Sequence, residues 1–566
     1  MSAYDGRGSV TEASNQMTEN IDVASPLEFI SMLKVCDEEI FSGWKEYKGL
    51  FHDSTLAVID RVRNVAASVL KDPSNGLVVL SGCGTSGRLA YMTARSFNSK
   101  LSANGIEPCF RYTIAGGDKA LFTSQESPED DPYSGIKALQ RVSAGKCNVL
   151  LIGITCGLSA PFVAGQLDYC LQNLNIFTPV LLGFNPTCLA RNLPIERWNK
   201  TFLKVVEALK IAQAENRAHI LNPVVGPEQI TGSSRMKSGT ATKILLETIF
   251  ASAYMSVFHP DVVWHTDRFM NAYSNICGCV YSHPDALAEL VTTAGESLKN
   301  RGHIYYIAWD TLGLVSIIDA SECPPTYGAS LDDVRGFVED GFTFMQNDEG
   351  NLSGLGKHFR ISSDDFTRDV LPTLTDLDFV IAYIKGKSEV LRSTVRVGPA
   401  LRPSADIYMP LCLPEQEIRS LCGNTVLWKE WSYLFSEIAC KWICNAVSTG
   451  AHILKGKVYR NIMVDLRVSN NKLFHRAVGI IERFTQLPKN QAQSFLLMSI
   501  YNTDRLTNEQ EASAIASHIE VATPQEKIVP CALLTAFLEC PIAEAKQILS
   551  EEPVIRTVVS KILERQ

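Results

Sequence analysis

Short apolar runs alternate with amphipathic stretches along the first half of the chain. The stretches between the runs, such as SGIKALQRV and APFVAGQLDYCLQ, carry apolar residues three and four positions apart, which predicts helices. Strands and helices that alternate in this way predict a parallel sheet covered by helices on both faces. The runs themselves predict buried strands at 77–80, 111–114, 149–154, 178–183 and 202–206.

The same pattern restarts in the second half. A helical stretch at 286–300 precedes a second opening strand at 303–307, and further strands are predicted at 379–384 and 405–409. A long helical segment at 424–449 ends this half. The restart predicts a second α/β domain.

These patterns divide the chain into four parts. Residues 1–65 are expected to hold a polar tail, loose up to residue 25, followed by helices. Two α/β domains follow at 66–264 and 265–449. Residues 450–566 are helical in pattern almost throughout and predict a C-terminal lid. A length of 566 residues agrees with roughly three or four domains.

The second α/β domain repeats the first at a fixed distance. Gly302 opens its strand 226 positions after Gly76, and the same offset aligns Thr85 with Thr311, Gly87 with Gly313 and Ala94 with Ala320. The second copy loses small and hydroxyl residues, because Gly82, Gly84, Ser86 and Arg88 become Ala308, Asp310, Leu312 and Leu314. The second turn is therefore not expected to bind phosphate. In return Ser96 aligns with Glu322, so one copy keeps an anion-binding turn and the other keeps an acid.

Composition excludes several classes of function. The net charge of −8 and the lack of a dense basic block argue against nucleic acid as a partner. No apolar run approaches the ~18 residues of a membrane helix, and the polar N-terminus lacks a signal-peptide core. The 16 cysteines are scattered without paired CxxC sets, which disfavours zinc and indicates reduced packing residues in an intracellular protein. No metal or cofactor is predicted.

The stretch LSGCGTSGRLAY, which follows the first predicted strand, is typical of an anion-binding turn. Its glycines let the backbone approach an anion, the next helix offers unpaired N–H groups, and Thr85 and Ser86 add hydroxyl donors. The triphosphate-binding pattern GxxxxGK[ST] is absent. For this stretch alone, a glycine-rich turn without a ligand remains the alternative.

Two further turns have the same character. ITCGLS at 154–159 and TGSSRMKS at 231–238 each precede a predicted helix. Such turns gather at the carboxyl ends of parallel strands, where ligands bind. Together the three turns predict a phosphate cradle, since a few charge-assisted hydrogen bonds of about 1.5–3 kcal/mol each give roughly micromolar affinity.

The chain resembles known proteins in GCGTSGRL, GPEQITGSSRMKSGTATK, STGAHILKGKVYRNIMVDLRVSNNKL and KLFHRA. These stretches are similar to the sugar isomerase (SIS) fold, to the bacterial N-acetylmuramic acid 6-phosphate etherases and to the glucokinase regulatory protein family. The etherase resemblance covers one SIS domain and the lid, whereas the resemblance to the glucokinase regulatory protein family covers essentially the whole chain. It implies an α/β protein with two flavodoxin-like SIS domains, whose parallel sheets are flanked by helices, and an α-helical C-terminal lid.

The resemblance also implies a sugar phosphate site in the first SIS domain, at its border with the second domain and the lid. Lys457 would add positive charge there, and Glu129 and Glu322 would meet sugar hydroxyls. The structural alternative for Arg235 is an ion pair with a surface acid, and that for His452 is a packed ring, while Cys156 is interpreted as a passive turn residue. The residues matched to the phosphate turns are Gly84, Thr85, Ser86, Thr155, Cys156, Gly157, Ser159, Ser233 and Ser234.

An etherase needs one carboxylate to remove the proton beside the carbonyl and another to protonate the leaving lactate. The etherases place an acid after the first turn, where this chain has Ser96, whereas the second copy keeps DASECPPT with Glu322. Glu322 is then either a remnant that hydrogen-bonds a sugar, or it faces Glu129 across a pseudo-dimer of the two copies. We favour a regulator without enzymatic activity over this etherase and over a plain SIS isomerase.

For the regulator, the resemblance implies binding and inhibition of glucokinase in competition with glucose. Fructose 6-phosphate would promote the inhibition, fructose 1-phosphate would relieve it, and the location would be nuclear and cytoplasmic. Contacts with the kinase are predicted at two places, Asn175 and Ile176 before a strand, and Leu411, Cys412 and Leu413 in the proline-bounded MPLCLP.

Overall fold

The structure is a computed structural model that describes residues 9–47, 49–384, 389–397, 411–414, 425–468 and 471–563. It consists of two five-stranded sheets, each flanked by helices, and a helical C-terminal region with a two-stranded sheet at its start. The fold is therefore the predicted one, with two SIS domains and a lid.

The N-terminal segment packs against the protein, so the expectation of a loose tail is wrong for residues 9–25. Thr18 is fully buried and its hydroxyl donates to the Gln229 carbonyl (2.8 Å). Asn461 of the lid donates through Nδ2 to the Asn15 carbonyl (2.7 Å). The segment is polar because its partners are backbone carbonyls and amide side chains. Two helices follow it, α1 (Pro26–Ser42) and α2 (Asp53–Lys71).

The first sheet has the strand order β2-β1-β3-β4-β5 and is parallel throughout. Its strands are β1 (Gly76–Gly82), β2 (Phe110–Ile114), β3 (Asn148–Ile154), β4 (Phe177–Leu182) and β5 (His219–Leu221). Its helices are α3 (Gly84–Ala103), α4 (Glu126–Glu129), α5 (Pro132–Val142), α6 (Pro161–Leu171), α7 (Phe202–Ala214) and α8 (Lys237–Phe258). Helix α8 is the one described helix that is long and apolar enough by itself to cross a membrane, and most of it is buried inside the protein.

The strand predicted at 202–206 is wrong, because these residues begin helix α7. Thr201 caps the helix by accepting from the Lys204 N–H. The buried positions are spaced as on one face of a helix, at Phe202, Val205, Val206, Leu209 and Ala212.

The second sheet is mixed, with the order β10-β9-β8-β6-β7. Its part β7-β6-β8 is parallel and repeats the arrangement β2-β1-β3, whereas β9 and β10 are antiparallel additions. The strand predicted at 405–409 lies outside the described residues. The elements are α9 (Thr266–Tyr281), α10 (Pro284–Lys299), β6 (Ile304–Ala308), α11 (Thr311–Tyr327), β7 (Val334–Val338), α12 (Phe342–Met345), α13 (Ser363–Asp365), β8 (Phe379–Ile384), β9 (Glu389–Val397) and β10 (Leu411–Pro414).

A helix of 30 residues, α14 (Thr425–Leu454), leads into the lid and runs through the domain boundary predicted at 449. The main hydrophobic core joins both sheets with α8 and α14, while the lid has a core of its own. The lid consists of β11 (Val458–Tyr459), β12 (Ile462–Met463), α15 (Asn471–Thr485), α16 (Lys489–Tyr501), α17 (Asn508–Ala512), α18 (Ile515–Ala522), α19 (Ile528–Leu538), α20 (Ile542–Glu551) and α21 (Ile555–Leu563).

Candidate functional site

A cavity of about 880 Å³ opens where the carboxyl end of β1 meets the second domain and the lid. We call it the first cavity. Four parts of the chain line it: Glu12 of the N-terminal segment, the first SIS domain, helix α11 of the second domain, and Met463 and Arg476 of the lid. The first domain contributes Cys83, Gly84, Thr85, Arg88, Ser124, Ser127, Glu129, Asp130, Gly232, Ser233, Ser234 and Arg235.

The turn before helix α3 has the features that an anion site requires. Gly84 has φ of +48°, which a residue with a Cβ rarely adopts. Cys83 at the N-cap makes no side-chain hydrogen bond to the helix, so this side chain does not cap the first N–H groups of α3. The Ser86 hydroxyl, in contrast, is buried beside the Cys156 sulfur (3.7 Å). Gly84 and Thr85 line the first cavity directly.

The turn before helix α8 reaches the same cavity through Ser233 and Ser234, but its N–H groups are occupied. Buried Glu228 accepts from the N–H groups of Lys237 (2.8 Å) and Ser238 (3.0 Å). Burial raises the pKa of Glu228 to about 7. An internal carboxylate thus occupies the N-terminus of helix α8, while the predicted Ser233 and Ser234 lie at the cavity. The predicted site did not include Glu228, whose one sequence signal is an acid in GPEQ shortly before the helix.

The turn at 154–159 does not reach the cavity, because its polar groups bond within the first domain. Thr155 Oγ1 accepts from the N–H groups of Ser159 (3.2 Å) and Ala160 (3.4 Å). Asn185 donates to the Gly157 carbonyl (3.1 Å). Burial raises the pKa of the Cys156 thiol to about 12, which suits a passive turn residue. None of Thr155, Cys156, Gly157 and Ser159 is among the described residues that line the first cavity.

Glu322 reaches from the second domain to the first turn. Its Oε2 accepts from Thr85 Oγ1 (2.6 Å), and its Oε1 pairs with the Arg88 guanidinium (2.9 Å). The Arg88 and Glu322 side chains are only 2% and 6% exposed. Glu129 lines the same cavity. The two copies therefore pack as the pseudo-dimer arrangement requires, with the acid of one copy at the turn of the other.

Lys457 lies elsewhere. Its buried ammonium donates to Asp465 (2.6 Å), and the pKa of Lys457 is raised because this carboxylate outweighs the lowering effect of burial. Lys457 is not among the described residues that line the first cavity, whereas Arg476 is. Arg476 is exposed and has no carboxylate partner in the described part of the chain. Arg476 is the arginine of KLFHRA, a stretch that carries the family resemblance but does not by itself mark this arginine as a site residue.

Arg235 and His452 pack helices α11 and α14 together beside the first cavity. Arg235 is buried and donates to Asp319 (2.7 Å) of the second domain and to Thr449 (2.7 Å) of helix α14. The His452 ring stacks on Tyr327 at 4.5 Å between centroids and is fully buried. His452 is therefore a packed ring, whereas Arg235 pairs with a buried acid of the second domain and not with a surface acid.

The predicted kinase contacts lie in two different sheets. Asn175 is exposed in the turn before β4, and Ile176 beside it is half-buried against the core of the first domain. Leu411, Cys412 and Leu413 form β10, which pairs with β9 at the edge of the second sheet. An edge strand is a site where a partner can approach the backbone.

Comparisons with known proteins match the whole length of the chain. Family models of the glucokinase regulatory protein match three regions: the N-terminal SIS domain at 60–171, the second SIS domain at 281–391 and the C-terminal lid domain at 460–559. The glucokinase regulatory protein of Xenopus laevis is 40% identical over 99% of this chain and 94% of its own length. The human protein of that name is 37% identical over 100% and 94%.

A bacterial relative covers less of the chain. The N-acetylmuramic acid 6-phosphate etherase of Clostridium acetobutylicum is 30% identical over 41% of this chain and 79% of its own length. The likeness to etherases therefore spans less than half of the chain.

Proposed function

Because the chain belongs to the glucokinase regulatory protein family, we propose that it binds glucokinase and inhibits it in competition with glucose. Fructose 6-phosphate promotes this inhibition and fructose 1-phosphate relieves it. The chain acts as a regulator without an enzymatic step of its own, in the nucleus and the cytoplasm.

The observation that carries this proposal is the four-part lining of the first cavity. A ligand there contacts the N-terminal segment, both SIS domains and the lid at once. It therefore stabilises one arrangement of these parts relative to others. A coupling of about 1–3 kcal/mol between this cavity and a kinase-binding surface changes kinase affinity roughly 5- to 150-fold.

The N-terminal segment is a physical link between the cavity and the lid. Asp22 accepts from the Arg460 N–H (2.7 Å) and pairs with Arg556 (2.8 Å), both in the lid. At its other end, the N–H groups of Val10 and Thr11 donate to Asn185 (2.9 and 3.1 Å) of the first domain. A sugar phosphate that contacts Glu12 acts on this link directly beside its attachment to the first domain.

An inhibition assay tests the proposal. The purified protein is titrated into glucokinase at low glucose, alone and with each fructose phosphate. We expect inhibition that weakens as glucose rises, strengthens with fructose 6-phosphate and weakens with fructose 1-phosphate. No inhibition would contradict the regulator, and inhibition that ignores both esters would contradict the sensing part.

A matched pair of variants tests where the esters act. Arg476→Gln removes the exposed lid cation at the first cavity, and Lys489→Gln removes one positive charge from an exposed lid residue that does not line it. We expect Arg476→Gln to need roughly 3- to 10-fold more ester for the same effect, since it loses a charge-assisted hydrogen bond partly screened by solvent. Lys489→Gln should match the wild type.

Etherase activity is the second candidate, because Glu129 and Glu322 line one cavity. Against it, both carboxylate oxygens of Glu322 are engaged within the protein, one by the Thr85 hydroxyl and the other by the buried Arg88 guanidinium. Incubation with N-acetylmuramic acid 6-phosphate, followed by a lactate assay, tests this activity. Release of lactate that Glu129→Gln abolishes would establish an enzyme.

The kinase-binding surface is proposed at Asn175 and Ile176 and along β10. Asn175→Arg places a long cation on an exposed turn, so it should weaken glucokinase binding without changing the affinity for fructose 1-phosphate. Unchanged kinase affinity, measured by surface plasmon resonance, would exclude this turn from the contact.

A further inference from the structure

A second cavity of about 350 Å³ lies on the other side of the contact between the two SIS domains. We call it the second cavity. Helix α3 lines it with Arg95, Ser96, Ser99 and Lys100, and the start of α11 lines it with Asp310, Thr311 and Leu312. Helix α12 adds Phe344, and α14 adds Tyr433 and Ser436.

The second cavity is the repeat-related counterpart of the first. The offset of 226 positions that aligns the two domains carries Gly84 and Thr85 of the first cavity onto Asp310 and Thr311 of the second. It also relates the opposite walls, since Ser96, Ser99 and Lys100 of the second cavity align with Glu322, Pro325 and Thr326 of the first. Each cavity thus uses the helix start of one domain and the later part of the matching helix of the other.

The second turn keeps the positive φ of the first at the aligned position. Asp310 has φ of +54°, close to the +48° of Gly84, although a side chain makes this conformation unfavourable. Its ψ of −147° lies near a region that glycine alone adopts readily, at a cost of roughly 1–3 kcal/mol for other residues.

Two buried hydroxyls of the second cavity lie beside each other and have no further partner among the described residues. Ser96, 6% exposed, occupies the position that holds Glu322 in the first cavity, and its Oγ neighbours the Tyr433 hydroxyl. Two hydroxyls that bond only to each other leave one O–H donor unused. An unused buried donor is costly, so the pair indicates a ligand that supplies polar groups at this place.

The charges of the second cavity disfavour an anion. The carboxylate of Asp310 occupies the helix start where the first cavity would hold phosphate, and Glu339 lies close enough for its pKa to be raised by burial and by Asp310. The two cations are engaged elsewhere. Arg95 donates to the Phe344 carbonyl (2.9 Å) and lies 4.1 Å over its ring, and Lys100 pairs with Glu430 (2.6 Å). The Arg95 contact also occupies the aromatic face that a cationic ligand would need.

We propose that the second cavity binds an uncharged polyol of monosaccharide size, such as a free sugar without phosphate. Ser96, Tyr433 and Asp310 hydrogen-bond its hydroxyls, while Leu312 contacts its carbon face. The volume of about 350 Å³ lies at the small end of ligand pockets, roughly 300–1,000 Å³, and excludes large ligands. Ligand binding at the second cavity is independent of the glucokinase proposal, because it is measured on this protein without the kinase.

Ligand-observed saturation-transfer NMR on the full-length protein tests the proposal with sorbitol, D-fructose and D-glucose as probes. The test variant is Ser96→Ala/Tyr433→Phe, which removes both hydroxyls and keeps the aromatic ring. Thr85→Val alters the first cavity alone, and Ser102→Ala removes a hydroxyl from the exposed end of the same helix α3. Thermal unfolding of each variant confirms that it is folded.

At least one probe should bind the wild type, Thr85→Val and Ser102→Ala with the same affinity. The double variant should bind it at least ~5-fold more weakly, since each hydroxyl contributes roughly 2- to 10-fold. Three results would overturn the proposal: no probe binds at the highest soluble concentration, the double variant binds as the wild type does, or Thr85→Val abolishes binding and so assigns it to the first cavity.

Discussion

The ion pair between Arg88 and Glu322 should hold the two SIS domains together. The perturbation is a double-mutant cycle of Glu322→Gln and Arg88→Leu, where leucine is the residue that the repeat carries at the aligned position, Leu314. The pair is 2.9 Å long and nearly excluded from solvent. Two unit charges about 4 Å apart at an effective dielectric constant of 20 interact by about 4 kcal/mol. Removing one partner of such a buried pair costs about 3–5 kcal/mol.

Each single variant should therefore be destabilised by about 3 kcal/mol or more, and the double variant by clearly less than the sum. The loss should appear as a fall in Tm of roughly 6–12 °C for a domain of this size. It should also appear as faster amide hydrogen exchange at the start of α3 and the end of α11, where the two residues lie. Additive effects in the cycle, or exchange that rises elsewhere and not at these helix ends, would refute the reasoning.

Three further predictions concern other parts of the site. The pKa of Glu228 in the folded protein is about 7, above the usual 4.5. Its contribution to stability is therefore fully present below about pH 4.5 and is lost as the pH rises through 7. The Tm of Glu228→Gln should fall less than that of the wild type between pH 5.5 and 8, and parallel Tm curves would contradict this. Asp22→Asn breaks the pair with Arg556 and should increase protease cleavage before residue 25 several-fold, which mass spectrometry measures against the exposed control Glu509→Gln. Thr85→Val should weaken fructose 1-phosphate binding by about 3- to 10-fold in calorimetry, and unchanged affinity would remove Thr85 from the site.

Much of the fold follows from the apolar pattern, and the failures have identifiable causes. The runs that became β1 to β4 are bounded by turns and too short for helices, so the pattern had one solution. The run at 202–206 has four apolar residues in five positions, which suits a buried strand or a buried helix face equally. The cap at Thr201 and the continuation to Leu209 and Ala212 decide for the helix.

The site was predictable where chemistry is local and not where distant residues compete for it. The turn of Gly84 and Thr85 is encoded within a few positions, and the repeat offset indicated that Glu322 could reach it. Lys457 and the start of helix α8 are unavailable to a ligand for one reason, although Ser233 and Ser234 of the turn before α8 line the first cavity as predicted. Each meets an internal carboxylate, Asp465 or Glu228, that neutralises its charge or fills its N–H groups before any ligand can. Spacing along the chain does not reveal which acid arrives there.

Helix α14 connects the two cavities. Its Tyr433 lines the second cavity, and its Thr449 bonds to Arg235 in the wall of the first, 16 residues or about 24 Å further along. Packed helices move as rods, by sliding or turning as a whole. The axial position of helix α14 is thus coupled to both cavities. Ligands that favour the same position strengthen each other's binding, and ligands that favour different positions weaken each other's binding without direct contact.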